Sequence, residues 1–177
     1  INASLSAFYR DGNNIIDWIK YSPEEKWQSA NITQLNTYGI SASVNYHLEN
    51  HIINYLGAKY TWLESEKQND EIISLYALDY LKHNFNSYLN HNIINNLTAS
   101  WSLSLQKRNG TYIDYQTSQE TEYGFNTLLN LKLIYDYRNF QFNISASNLL
   151  NKQYYDIGNI VQPGIWIIAG IKYHLNR

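Results

Sequence analysis

The feature that most constrains this chain is a strict two-residue alternation of apolar and polar side chains. In "FQFNISAS", Phe140, Phe142, Ile144 and Ala146 alternate with Gln141, Asn143, Ser145 and Ser147. The same beat runs through "INASLSAFYR", "TYGISASVNYHL" and "NNLTASWSLSLQ", and the closing stretch sets Ile165, Ile167, Ala169, Ile171, Tyr173 and Leu175 on one parity. Successive side chains point to opposite faces only in extended backbone, so this period predicts strands with one apolar and one polar face. Helical periodicity is hard to find. The expected fold class is all-β and antiparallel.

The connections carry a second pattern. Short polar turns are predicted at Glu49 to His51, at His91 and Asn92, and at Arg138 and Asn139. Between them lie longer polar excursions: "DGNNIIDWIKYSPEEKWQSAN", "ESEKQNDE", "KRNGTYIDYQTSQETEY" and "NKQYYDIGNIVQPG". Short and long connections therefore alternate along about eight strands, which puts every long loop at one end of the sheet and every tight turn at the other. That is the plan of a transmembrane β-barrel. A β-sandwich would also alternate, but its strands run about five or six residues, whereas several here run about ten, enough to cross a membrane at a tilt. A propeller would space its turns similarly, but no Gly-His or Trp-Asp blade signature is present.

Composition fits this reading. Charged residues are only 16% of the 177 and aromatic residues 15%, with Asn and Ser filling the polar positions. A mean hydropathy of -0.47 does not argue against a membrane strand, which buries only one face in lipid. Leu, Ile, Val, Ala and Phe are expected to meet lipid, and Ser, Asn, Gln and Thr a watery lumen. Tyr9, Tyr46, Tyr60, Trp62, Tyr135 and Tyr173 are expected near strand ends, as girdles at the headgroups.

No arrangement for catalysis stands out, and the chain is not expected to be an enzyme or to hold a cofactor. With no cysteine, disulfides and thiolate metal sites are excluded. A net charge of -2 with no clustered basic face speaks against nucleic acid. His47, His51, His83, His91 and His174 lie on strands or near turns without ligand spacing, so no metal site is assigned. The pairs Glu24–Glu25, Asp70–Glu71 and Glu120–Glu122 read as solvated loop charge rather than calcium ligands. The N-x-S/T sites at Asn2, Asn31, Asn96, Asn109 and Asn143 read as accidents of an Asn-rich strand sequence. What remains is a set of aromatic residues in the long loops: Trp18, Tyr21, Trp27, Tyr112, Tyr115, Tyr154 and Tyr155. Their rings either stack on a ligand or dock a partner, or pack on one another to order their own loops.

"NLLNKQYYDIGNIVQPGIWIIAGIKYHL" closely resembles the closing segment of TonB-dependent outer-membrane receptors. In that family an Asn-Leu-(Phe/Leu)-Asn-Lys-x-Tyr-Tyr element ends the penultimate strand, and Pro-Gly leads into a last strand with alternating aromatics. Here these are Asn148 to Tyr155, Pro163-Gly164 and Ile165 to Leu175. The usual terminal Phe is replaced by Leu175, followed by Asn176 and Arg177. Upstream, "YRDGNNIIDWIKYSPEEKWQSANITQLNTYGIS" resembles a barrel strand pair of Bacteroidetes-type members, cobalamin receptors among them.

The resemblance implies an N-terminal plug inside a barrel of 22 strands, and uptake of scarce ligands such as cobalamin (vitamin B12), siderophores or haem. It implies energy supplied by the TonB complex through a box in an N-terminal part that this chain lacks. Residues 1–177 are then expected to be the C-terminal segment of the barrel, set in the outer membrane of a Gram-negative bacterium among membrane lipids. The absence of an initiating Met fits a processed or truncated piece. The favoured ligand is cobalamin, with a siderophore or haem as alternatives, and a surface-exposed lipoprotein is a possible partner over the loops. A reading of another class is a small self-contained eight-stranded barrel acting as a structural or adhesive protein, its interior filled by side chains.

Overall fold

The computed structural model describes residues 1–22, 24–48, 52–67, 73–75, 79–157 and 160–175. Its long strands are β1 (Asn2–Lys20), β2 (Gln28–His47), β3 (Ile53–Lys67), β5 (Leu81–Ile94), β6 (Leu97–Arg108), β9 (Phe125–Tyr137), β10 (Phe140–Ser147) and β13 (Trp166–Tyr173). Five short strands lie in the connections: β4 (Ile73–Ser74), β7 (Thr111–Ile113), β8 (Glu120–Glu122), β11 (Tyr154–Asp156) and β12 (Ile160–Gln162). The main sheet has nine strands in the order β13-β10-β9-β6-β5-β3-β2-β1-β4. Setting aside the two-residue β4, the other eight form an antiparallel meander, as the alternation predicts. β1 and β13 do not pair with each other, so the sheet stays open.

Register shows that the two parities stay on their own faces across the sheet. Leu5 pairs with Ala42 and Ala42 with Tyr60; Tyr60 pairs with Phe85, and Phe85 with Leu105. Farther along, Trp101 pairs with Leu131, Leu131 with Ala146 and Ala146 with Ile167. The opposite face is tied together by uncharged hydrogen bonds. Ser4 Oγ lies 2.8 Å from Ser43 Oγ, Ser41 Oγ lies 3.1 Å from Thr61 Oγ1, and Asn130 Nδ2 donates to Ser102 Oγ at 3.1 Å. Such a wall satisfies its own polar groups and still presents hydroxyls and amides to water. On β2 the apolar parity is the exposed one, with Ile40 at 47% and Val44 at 45%, while Ser41, Ser43 and Asn45 are sheltered. From Tyr38 to Tyr46 is nine residues, matching the ~9–11 that cross a bilayer at a tilt.

The aromatic girdles need one correction. Tyr46, Tyr135 and Tyr173 do lie toward the short-turn end, but Tyr9 and Tyr60 lie well inside their strands. β1 and β3 run on as extended backbone beyond the alternating stretch. Most of "DGNNIIDWIKYSPEEKWQSAN" is therefore strand rather than loop, and β3 likewise takes up Glu64–Lys67. Alternation fades over these residues.

The tight turns are partly as expected. Arg138–Asn139 is a two-residue turn, with Arg138 at φ 53°. His91 and Asn92 remain in β5, and the turn falls at Asn95–Asn96, after a register shift between Asn92 and Ile94. The expected turn at Glu49–His51 and the pair Asp70–Glu71 lie outside the described residues.

In β1, Asn14 adopts φ 58° without shifting register: Asn13 pairs with Gln34 and Ile15 with Ile32. Burial changes parity at this point. Below it Gly12 is buried; above it Asp17 and Ile19 are buried, while Ile16 and Trp18 are exposed. A Cβ on Gly12 would lie 2.7 Å from Ile15 Cδ1, which places Ile15 on the side that even-numbered residues occupy lower down. Asn tolerates this left-handed conformation better than most side chains.

Candidate functional site

The expected aromatic residues fall into two groups, both at the long-connection end. Trp18, Tyr21 and Trp27 lie at the tip of β1 and β2, with Trp18 48% and Tyr21 52% exposed. Trp18 belongs to β1 rather than to a loop. Lys20 Nζ lies 5.0 Å from the Trp27 ring centroid, and Glu25 accepts the Tyr21 N–H at 3.0 Å. The tip is braced from behind by β4, whose Ile73 and Ser74 pair with Lys20 and Ile19. Leu75 N–H donates to Trp18 O at 2.9 Å, and Ser74 Oγ donates to the buried Asp17 carboxylate.

The second group self-packs. The rings of Tyr112 on β7 and Tyr155 on β11 stack at 4.2 Å. Tyr123 lies 5.2 Å from Tyr112, and Tyr115 lies 5.9 Å from Tyr155. Tyr115 N–H also donates to Tyr155 Oη at 3.3 Å. Tyr154 stands next to this cluster, half-buried, its hydroxyl pKa raised by burial first and by Asp156 second. These rings thus order their own connections, while Tyr115 remains 65% exposed.

Beneath the tyrosines lies a charged centre that the sequence does not announce. Arg108, the last residue of β6, is 8% exposed. Its Nη2 is 2.8 Å from Asp156 Oδ1, and its Nε is 3.0 Å from Asp79 Oδ1. The Nε contact is an ion pair by distance, but its N–H is not aimed for a good hydrogen bond. Tyr123 is buried beside it, and its hydroxyl bonds to Asp79. Burial first, and then the Asp79 charge, pushes the Tyr123 pKa up to about 12. Nearby, Tyr80 accepts the Ser65 N–H at 2.9 Å and donates to Glu64 at 3.2 Å, and Lys82 pairs with Glu64 at 2.6 Å. Sequence reasoning missed Arg108, Asp79 and Asp156 because their pairing spans connections far apart in the chain.

The closing motif explains itself here. Asn148, at φ 52° and buried, donates from Nδ2 to Lys152 O at 2.7 Å and to Pro163 O at 3.2 Å. Its Oδ1 accepts the Lys152 N–H at 3.1 Å, and its own N–H bonds to Asn130 Oδ1 at 2.8 Å. Asn151, at φ 49°, accepts the Ile165 N–H at 3.2 Å. The two asparagines therefore tie the end of β10 to the start of β13 and set the base of the β11–β12 hairpin.

Elsewhere, a shallow apolar furrow of about 510 Å³ lies on the apolar face, floored by Ala58 and Ser87 and flanked by Tyr46, Leu56 and Trp101. It is remote from the loop end and belongs to the surface that suits lipid. No group of three or more His, Asp or Glu side chains converges among the described residues.

Comparison with known proteins gives the fold. No family model and no curated protein matches the chain. Among solved structures it resembles the ferric enterobactin receptor of Pseudomonas aeruginosa, in two variants, one of them in complex with enterobactin. The TM-score is 0.65 at 16% identity, over 96% of this chain and 28% of the receptor, for each variant. It also resembles the ferric-catecholate import receptor Fiu of E. coli K12, at a TM-score of 0.60 and 16% identity over 96% of this chain and 25% of that one. The chain has the antiparallel β-barrel fold of these receptors and spans about a quarter of their length.

Proposed function

We propose that residues 1–177 form the C-terminal strands of the barrel of a TonB-dependent outer-membrane uptake receptor, with the plug and the earlier strands lying elsewhere in the protein. The observation that carries this reading is the open meander: one apolar parity for lipid, one hydrogen-bonded polar parity, and structured hairpins at the long-connection end. It weighs against the self-contained eight-stranded barrel, since unpaired edges of β1 and β13 in hydrocarbon would cost several kcal/mol per unsatisfied group. The segment does no chemistry. It contributes lipid-facing strands, part of the lumen wall and a pre-ordered rim from which the exposed Trp18, Tyr21, Trp27 and Tyr115 contact a ligand or a surface lipoprotein, while Tyr112, Tyr154 and Tyr155 hold the rim in shape.

Cobalamin is the favoured ligand. The resemblance of residues 9–41 supports it, and so does the charge of the β7–β8 connection: Asp114, Glu120 and Glu122 lie exposed or half-buried there, while Arg108 is consumed by ion pairs. A ferric tris-catecholate is a polyanion and would be repelled by such a rim; a large, weakly charged ligand with planar parts would not. The second reading, ferric-siderophore uptake, is favoured by the two solved receptors. Tryptophan-fluorescence titration of the intact protein, extracted from outer membranes, separates them. Saturable quenching by cyanocobalamin is expected. Saturation by ferric enterobactin or haem instead moves the assignment, and no binding of any of the three refutes the uptake reading.

A further inference from the structure

Arg108 joins two connections directly and a third through Tyr123. Asp79 comes from the connection between β3 and β5, and Asp156 from β11 in the connection between β10 and β13. Tyr123, at the end of the β7–β8 hairpin, bonds to Asp79 and packs on Tyr112, which stacks on Tyr155. In the sheet, β6 and β10 are separated by β9, so the pair with Asp156 reaches across a strand that it does not use. On its other side the β3–β5 connection is tied to β1 through Ile73–Leu75. Side-chain contacts thus run along the loop end from Asp79 to the β11–β12 hairpin, and the β3–β5 connection is itself paired to β1 through β4.

We propose that Arg108 is a latch: it couples the β3–β5 connection, the β7–β8 hairpin and the β11–β12 hairpin so that they open together. The coupling follows from burial. While the β11–β12 hairpin is seated, the Arg108–Asp79 pair is shielded and only 9% and 12% of the two side chains is exposed. When the hairpin lifts, Asp156 leaves and the remaining pair meets water, where an ion pair holds its partners only weakly. Losing one carboxylate therefore loosens the connection that carries the other. The hairpins also share the Tyr112–Tyr155 stack, so they have a second strut, whereas Arg108 carries the only ion pairs among the described residues that tie Asp79 to Asp156. The consequence is all-or-none access to the inner face beneath these connections, whichever ligand the barrel takes.

Hydrogen–deuterium exchange of the intact protein in nanodiscs tests this. In Asp156→Asn, exchange is expected to rise at least tenfold (order of magnitude of one lost charge-assisted contact) at residues 154–157. The diagnostic result is a matching rise at Asp79–Tyr80 and at Ile73–Leu75, which the substitution does not touch. Arg108→Lys keeps the charge but loses the two-sided fork, and is expected to loosen the same three segments together. Tyr155→Ala removes the stack but keeps both ion pairs; to the extent that it lifts the β11–β12 hairpin, Asp79–Tyr80 is expected to loosen with it. A rise confined to residues 154–157 in Asp156→Asn, with Asp79–Tyr80 unchanged, overturns the latch, as does loosening of residues 154–157 in Tyr155→Ala while Asp79–Tyr80 stays at the wild-type rate.

Discussion

Asn148 offers the sharpest test of how the closing motif works. Its side chain makes three hydrogen bonds, two donated to Lys152 O and Pro163 O and one accepted from Lys152 N–H, in a site 5% exposed. At about 1 kcal/mol net for each bond, removing them costs roughly 3 kcal/mol. Its φ of 52° adds a backbone preference: Gly bears that conformation freely, while Ala adds roughly 1 kcal/mol. Asn148→Gly should therefore lose about 3 kcal/mol and Asn148→Ala about 4.

Asn148→Asp is the informative variant. It preserves shape and the accepted bond, but turns a carboxylate oxygen toward two carbonyl oxygens, so it should be the worst of the three near neutral pH. Because repulsion raises its folded-state pKa, Asn148→Asp should recover as pH falls through that raised value and the acid regains a donor. The assay is hydrogen exchange across residues 148–157 and 160–165 of the intact protein, with thermal unfolding as the global measure. If Asp performs as well as Asn at neutral pH, the amide does not donate to Lys152 and Pro163. If Gly and Ala are equal, the left-handed backbone carries no weight.

Three further outcomes follow from the geometry. A Cβ at Gly39 would sit 2.6 Å from the Trp62 carbonyl oxygen and 2.8 Å from the Phe8 ring, so Gly39→Ala should cost about 1–3 kcal/mol in thermal unfolding. Adding Phe8→Ala should rescue only part of it, because the carbonyl is backbone. Ala42→Arg, between Tyr38 and Tyr46 on the apolar face, should cost about 2–4 kcal/mol in lipid, whereas Ser43→Arg on the opposite face should cost clearly less in the same urea titration. Tyr80 and Tyr123, whose pKa values burial pushes from 10.0 up to about 12, favour the folded state while neutral. Their contribution is whole below pH 10 and lost between pH 10 and about 12, so ultraviolet titration should show both ionising late, together with loosening of residues 79–80 and 120–124.

The alternation told which residues share a face, and register confirms it strand by strand from Leu5 to Ile167. It did so because lipid and water impose opposite demands on neighbouring side chains. Where the alternation fades, residues 11–20 read as loop although the backbone is strand. The motif around Asn148 was visible as a pattern, but its reason lies in bonds to Lys152 and Pro163 that form only once the chain has turned back. Arg108 was invisible: a single cation after Lys107 gives no sign that it will be buried between Asp79 and Asp156. Of the aromatic residues, sequence could name Tyr112 and Tyr155 but could not decide that they would spend their faces on each other.

Asn14 divides β1 into two lengths governed by different rules. Below it the strand keeps the apolar–polar alternation; above it, it follows the packing of Asp17 and Ile19 beneath β4. Because the reversal happens within a single residue and leaves the pairing with β2 undisturbed, what lies above is free to drift without dragging the lipid-facing register along. Asn14 is in effect a joint between interchangeable parts. Hairpin tips of different length or sequence could be spliced on above it while the wall beneath is kept, so new recognition surfaces could be traded onto an unchanged wall.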